Sequence, residues 1–332
     1  KTLQEKYLKE NLPCFIGESK GISDVMQFVE LAAKSPDTPI ILLGQSGTGK
    51  DLIASAIHYR SPNFKGPLIT INCAAIPKDL IESELFGYEK GAFSGAGKSG
   101  KKGLVEQAAN GTLFLDEIGD LSLEAQAKLL RFLESGEFYR VGGTKKRCIK
   151  TRVVSATNKN LKEMIEKGLF REDLYFRVGV VKVEVPSLNE RREDIIPIAR
   201  HFLVEFSKKF GKSFIAISSE AEIALREFDW KGNVRELKNL IERAVLIAKG
   251  PELTLEDLSI QVPEPSGKFN LPQQGTPFVI PEEGVDLPSI LESVEKEYIK
   301  EALRITGGNE TKAAELLNLN YTTFRYRKKN YG

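Results

Sequence analysis

Histidine is nearly missing from this chain of 332 residues: only His58 and His201 occur. That scarcity excludes a histidine-rich metal centre and a Ser-His-Asp hydrolytic triad. Cysteine is scarce too. Cys14, Cys73 and Cys148 lie far apart with no C-x-x-C spacing, which argues against a disulfide framework and against a zinc site. Scattered thiols of this kind suit a reducing compartment. No run reaches the ~18 uninterrupted apolar residues of a membrane span. The N-terminus shows no signal-peptide pattern, so a cytoplasmic protein with no membrane contact is expected. Neither sign of charge is in excess: Lys and Arg number 48 against 46 Asp and Glu, a net +2. Any surface for nucleic acid must therefore be local.

What the sequence does contain is alternation. From about residue 12 to 186, β-rich apolar runs alternate with amphipathic helical patterns, the mark of a mainly parallel sheet covered by helices. The predicted strands are Ile40–Leu43, Leu68–Asn72, Thr112–Leu115, Arg152–Ala156 and Val180–Val185. Ser122–Ser135 reads as a helix with Leu123, Ala127, Leu130 and Leu133 on one face and Gly136 as its stop. After Pro186 the strands end. Residues 194–210 carry Ile195, Ile198, Phe202 and Phe206 at helical spacing, and residues 219–228 form a second helix. Asn233 opens a third helix that runs to about Lys249, with Asn233 and Glu236 as cap and reciprocal partner. The expected organisation is a residual linker at 1–11, an α/β nucleotide-binding subdomain at 12–186 and a helical lid subdomain at 187–250. A proline-rich flexible linker at 251–287 and a small all-α domain at 288–332 complete it.

Chemistry concentrates first at Gly44-Gln45-Ser46-Gly47-Thr48-Gly49-Lys50-Asp51, directly after the buried run Ile40–Leu43. A glycine-rich loop between a strand and a helix start aims backbone N–H groups at phosphates. The helix dipole and Lys50 add positive charge. Asp51 stands where a Ser or Thr hydroxyl ordinarily meets Mg²⁺. The strand Thr112–Leu115 then runs into Asp116-Glu117, the place where a phosphate-loop ATPase holds Mg²⁺ and polarises water. Asp116 is the expected metal partner, through water, and Glu117 the expected general base, with ATP and Mg²⁺ as cofactors.

The C-terminal segment has a different character. Leu291–Ile305 is a predicted helix with Leu291, Val294, Tyr298, Ala302 and Ile305 at helical spacing, a possible dimer seam. Asn309 caps a helix through Leu317, and Tyr321–Tyr331 follows after a short break. Two short helices joined this tightly fit a helix-turn-helix, with the second entering the major groove of double-stranded DNA. Thr322, Thr323, Arg325 and Tyr326 are candidates for base or backbone contacts, and Lys328 and Lys329 for phosphates.

Several further motifs appear in a telling order: Ser155-Ala156-Thr157-Asn158, then Phe170-Arg171-Glu172-Asp173-Leu174-Tyr175-Phe176-Arg177, then Trp230-Lys231-Gly232-Asn233-Val234-Arg235-Glu236-Leu237. With the phosphate loop and the acidic strand end, this order resembles an AAA+ ATPase. Glu84-Leu85-Phe86-Gly87-Tyr88-Glu89-Lys90-Gly91-Ala92-Phe93-Ser94-Gly95-Ala96 narrows it further. This stretch resembles the GAFTGA loop of NtrC-type bacterial enhancer-binding proteins, the activators of sigma-54 RNA polymerase. The C-terminal segment resembles the Fis-type DNA-binding domain of the same activators.

The resemblance implies roles residue by residue. Asn158 is the first sensor of the γ-phosphate, Asn72 the asparagine that holds the catalytic glutamate, and Arg235 the second sensor on the lid. Arg171 and Arg177 are the arginines presented to a neighbouring subunit's ATP. Phe93 and Ser94 are the sigma-54 contacts, with Ser94 where the family has Thr, and an acid at position 51 is usual, although Glu is commoner than Asp. An ATP-driven activator of sigma-54 holoenzyme is implied, bound to upstream DNA and assembled as a hexameric or heptameric ring, with a dimer as the inactive form. A regulatory domain ahead of residues 1–11, as in a two-component system, is implied as well. Two rivals stay open at this point: a DNA-binding regulator that uses nucleotide only to control oligomerisation, and an AAA+ remodeler of another target.

Overall fold

A computed structural model of the chain describes residues 4–5, 16–92, 99–260 and 287–331. Phe93 and Ser94 lie outside the described residues, as does Cys14. The chain divides into two compact units, Lys1–Ile260 and Gln261–Gly332.

The first unit is built on a five-stranded sheet. After helix α1 (Lys20–Ala33), the strands are β1 (Ile40–Leu43), β2 (Leu68–Asn72), β3 (Thr112–Asp116), β4 (Arg152–Thr157) and β5 (Val181–Glu184). Their order is β2-β3-β4-β1-β5, and every pairing is parallel. The central strand β4 is buried at all six positions, while the edge strands β2 and β5 are only partly covered. That is the expected contrast for a parallel sheet with helices on both faces. Alternate residues of β1 show the two faces directly: Ile41 joins one apolar core with Leu113, Leu115 and Phe132, whereas Ile40 and Leu42 join another with Phe114, Val154 and Ile57. Arg152 is fully buried at the start of β4, where its guanidinium donates to the carbonyls of Ala33 (3.2 Å) and Ala32 (2.7 Å). Those carbonyls end α1, the negative pole of that helix.

The covering helices are α2 (Lys50–Arg60), α3 (Lys78–Phe86), α4 (Leu123–Ser135), α5 (Leu161–Glu166) and α6 (Glu172–Val178). Helix α4 starts where expected, with the Ser122 hydroxyl accepting from the Ala125 N–H (3.3 Å), and stops at Gly136 in the left-handed region. Its buried face differs from the predicted one. Ala125, Gln126, Leu129 and Phe132 face the core, Leu130 and Leu133 flank it, and Leu123 is 46% exposed. An apolar count alone misplaced the stripe because the buried polar Gln126 belongs to it.

Residues after β5 form a helical layer of α7 (Ile195–Phe210), α8 (Ser219–Glu227) and α9 (Asn233–Ile247) around buried Trp230, Phe206 and Ile241. This layer extends beyond the expected start of the linker at 251. Glu252–Leu253 pairs in parallel with Ala216–Ile217, and a capped turn at Leu255–Leu258 buries Leu253 and Leu258. Proline content had suggested linker there, but two leucines at the right spacing complete this small core.

The second unit packs α10 (Leu287–Ile305), α11 (Glu310–Leu316) and α12 (Tyr321–Tyr331) around Ile299, Ala302, Ala313, Ala314 and Phe324. Of the predicted stripe on α10, Ala302 is buried, but Leu291, Tyr298 and Ile305 are each more than half exposed. Their apolar face is not what holds this unit together. Among the described residues no helix is long and apolar enough to cross a membrane.

Candidate functional site

The parallel sheet delivers its chemistry to one edge, because the carboxyl ends of all five strands point the same way. The phosphate loop leaves β1, Asp116 ends β3 and Asn158 follows β4. Lys50 opens α2 and is only 6% exposed; its ammonium donates to the carbonyls of Gly44 (2.8 Å) and Gln45 (2.9 Å). Burial holds its pKa below the ordinary lysine value, against the opposing pull of Glu117 and Asp116. Gly47 has a φ of +79°, and a Cβ there would stand 2.3 Å from the Gly232 carbonyl oxygen. Only glycine allows the loop to lie this close to the helical layer, whose Val234 N–H donates to the Gly47 carbonyl (3.0 Å).

The two adjacent acids behave differently. Burial, then the neighbouring Glu117, raises the Asp116 carboxyl above its usual range. Glu117 itself sits at a φ of +53°, an uncommon conformation for a residue with a side chain. This turn carries its carboxylate over the end of β4, where it accepts from the Asn158 N–H (3.2 Å) and the Thr157 hydroxyl (3.4 Å). Asn72 was expected to hold Glu117. Here its amide donates instead to Asp116 (3.3 Å), its cross-strand partner in the β2–β3 register, while its carbonyl caps Ala74 and Ala75. Cys73 beside it is buried, and burial pushes its thiol up to about 12, so it packs rather than reacts.

Ser46, Gly47, Thr48, Gly49, Lys50, Asp51, Asp116, Glu117 and Arg235 line one cleft of about 370 Å³. Arg235 reaches across it from α9 to donate to the Ser46 hydroxyl (2.8 Å). The expected arginines of α6 are not brought to it. Arg171 pairs with Asp173 on its own helix (2.6 Å), and Arg177 donates to the Leu133 carbonyl at the end of α4 (2.6 Å). What fixes Arg171 is Gln126, whose buried side chain accepts from the Arg171 N–H (2.9 Å).

Three features of the cleft escaped sequence reasoning. Asn233 does not cap α9 through its side chain. It is fully buried at a φ of +54°, accepts from the Leu188 N–H and donates to Gln45 and to the Ser46 carbonyl. Glu236 does reach back, but to the Gly232 N–H (2.7 Å). Arg191 and Asp194 lie in a run of charged residues, yet both are buried. Arg191 donates to the Thr48 carbonyl (3.0 Å), and Asp194 accepts from Glu18, from the Ser19 backbone and from the Ser19 hydroxyl. Finally Ile16, Leu52, Ile198, Phe202 and Val234 form an apolar wall beside the phosphate loop, with His201 at its margin. Its residues come from four separate segments, so no local signal marks it.

In the C-terminal unit, the Thr323 N–H donates to the Asn320 side chain at the start of α12 (2.7 Å). Thr322, Arg325, Tyr326 and Lys329 are exposed along that helix, and Lys328 pairs with Glu310 (2.6 Å).

Comparison with known proteins decides the family. The sigma-54 interaction domain matches residues 15–184. The chain belongs to the NtrC-type sigma-54-dependent activators. In this activator the AAA+ ATPase lid domain matches residues 189–270 and the Fis family of bacterial regulatory proteins residues 290–331. The activator is 42% identical to the nitrogen fixation protein AnfA of Azotobacter vinelandii, over 99% of this chain and 59% of that protein. It is 44% identical to the regulatory protein AtoC of Escherichia coli, over 88% of the chain and 62% of that protein. Against the DNA-binding transcriptional regulator NtrC of Salmonella typhimurium the identity is 40%, over 96% and 70%. The chain thus spans about six-tenths of the length of AnfA and AtoC. Crystal structures of NtrX from Brucella abortus in complex with ADP and with ATP match all of the chain and 72% of NtrX, at TM-score 0.72 and 33% identity. The activator is therefore an AAA+ α/β core with a helical lid and a helix-turn-helix unit.

Proposed function

We propose that this activator hydrolyses ATP to remodel sigma-54 RNA polymerase holoenzyme at promoters, while α10–α12 hold it on upstream DNA. One observation carries the reading: Lys50, Asp116, Glu117 and Arg235 share a cleft, while Arg171 and Arg177 face elsewhere on the same chain. A complete phosphate cradle whose α6 arginines face away from it fits half of a shared site. The other half comes from a neighbouring copy in a ring.

The cradle binds the triphosphate by its N–H groups, and the Lys50 ammonium exchanges the Gly44 and Gln45 carbonyls for phosphate oxygens. The apolar wall of Ile198, Phe202 and Val234 takes the base. Glu117 accepts a proton from the attacking water once it leaves the Asn158 N–H, which ties the base to the residue that senses phosphate. Mg²⁺ fits the oxygen donors here: Asp116 is raised first by burial and then by its acidic neighbour Glu117, and a hard divalent cation favours the ionised carboxylate against both. When bound, Mg²⁺ neutralises phosphate charge. Arg171 and Arg177 supply the fork that stabilises the transferring group across the subunit boundary. Phe93 and Ser94 engage sigma-54, and the exposed Leu291, Tyr298 and Ile305 pair two copies through α10.

A promoter-opening assay with sigma-54 holoenzyme tests this. Opening that requires both this chain and hydrolysable ATP supports the reading; opening with a non-hydrolysable analogue contradicts it. Turnover of ATP without any effect on the polymerase would point to a different target.

A further inference from the structure

Two residues at helix starts forgo their own helices for each other. Ser19 stands at the start of α1 and Asp194 at the start of α7, where Ser and Asp side chains ordinarily accept from an N–H of the first turn. Neither makes that bond. The Ser19 hydroxyl donates instead to one Asp194 oxygen (2.6 Å), and the other oxygen accepts from the Glu18 N–H (2.7 Å) and the Ser19 N–H (2.9 Å). Asp194 is 1% exposed and Ser19 is 3% exposed. A carboxylate taken out of water is costly unless its oxygens are bonded, and these bonds all go to one short segment.

That segment, Ile16 to Ser19, runs beside the cleft as a strap. Residues 16–18 belong to no helix or strand, so the Asp194 bonds are what locate them. The approach is close: a Cβ at Gly17 would stand 3.0 Å from an Asp194 oxygen and 2.9 Å from the Ile22 side chain. At the head of the strap, Ile16 packs on the helical layer with Phe202 and Val234 and lines the apolar wall of the cleft. From the same turn as Asp194, Arg191 donates to the Thr48 carbonyl of the phosphate loop (3.0 Å). Residues 191–194 therefore hold the cleft at two points, the phosphate loop through Arg191 and the apolar wall through Asp194.

We propose that Asp194 is a positioning residue for the nucleotide base: by clamping Glu18 and Ser19 it holds Ile16 in place as one side of the base pocket. The inference rests on the reading of this cleft as a nucleotide site. It adds that affinity for the base passes through Asp194, whereas affinity for the phosphates does not. A buried staple that served only the fold would make no such distinction between the two halves of the ligand.

Calorimetry on the full chain with ADP and with inorganic pyrophosphate tests it. Asp194→Asn, which removes the charge in nearly the same shape, should weaken ADP about tenfold and pyrophosphate less than about twofold. Ser19→Ala, which removes one bond from the strap side, should weaken ADP alone by about threefold. Should Asp194→Asn not fold, Ser19→Ala carries the same comparison. In a background of Ile16→Ala, either change should cost little further ADP affinity, because both act through the side chain already removed. Equal losses for ADP and pyrophosphate overturn the proposal, as does a loss that simply adds to that of Ile16→Ala. Unchanged ADP affinity in both variants overturns it too. A native chain that binds neither ligand overturns the reading of the cleft along with it, so the two failures are told apart.

Discussion

Two faces of the AAA+ unit hold their arginines in opposite ways. On the lid, Arg235 already reaches the phosphate loop, and buried Asn233 bonds that loop to the lid from behind. On α6, Arg171 is exposed and turned to Asp173 on its own helix. An exposed pair of this kind contributes little to stability, so it releases easily to a better anion. The difference teaches that the cradle is assembled within one chain, while the α6 arginines stand away from it, as the proposed shared site requires.

The largest effects should come from the assembled side. Lys50→Ala should abolish nucleotide binding in calorimetry, since the backbone cradle alone leaves the phosphates under-neutralised. Retained binding at native affinity would mean that the buried lysine is only structural. Glu117→Gln should bind ATP as before but lower turnover by about 10²–10⁴-fold in a phosphate-release assay. If turnover stays native, the base is another residue, and the contrast between the two acids loses its chemical meaning.

Smaller effects sharpen the comparison away from the cleft. Phe93→Ala should weaken sigma-54 binding, measured with an ATP transition-state mimic, by about 2 kcal/mol, roughly 30-fold, with basal turnover unchanged. Ser94→Thr should hold or raise that affinity. The smallest effect concerns the core behind α2. His58 is 1% exposed and bonded to the Thr112 hydroxyl (2.9 Å), and burial lowers its pKa to about 4. The unfolded chain binds this proton more readily, so stability is full above about pH 6.5 and falls as pH drops toward 4. The loss is on the order of 1–2 kcal/mol after allowing for residual solvation. Denaturant melts across that window should show it, and His58→Gln should flatten it.

The sheet and the phosphate loop were legible in the sequence because each is local. An apolar run ends in a loop of glycines, or in two acids, and the five predicted strands are the five of the central sheet, within a residue at either end. Relations between distant segments were not legible. The base wall gathers Ile16, Leu52, Ile198, Phe202 and Val234 from across the unit, and Gln126 acts on Arg171 from 45 residues away. Polar residues misled most. Asn233 looked like a cap, but its left-handed backbone sends the side chain inward. The burial of Arg191 and Asp194 had no local sign, because local composition says nothing about what covers a charged turn. Asn72 took its register partner Asp116, because Glu117 turns away through a positive φ.

The shared site is the central claim, and mixing two inactive chains tests it most directly. Arg171→Ala keeps a whole cradle, whereas Lys50→Ala keeps an intact α6 face. Alone, each should show almost no turnover. Mixed in equal amounts, they should regain a measurable fraction of native ATPase activity that rises with total protein concentration, because some boundaries then join a good cradle to a good arginine. A mixture no more active than its components, beside native turnover per chain that is independent of concentration, would contradict the shared site.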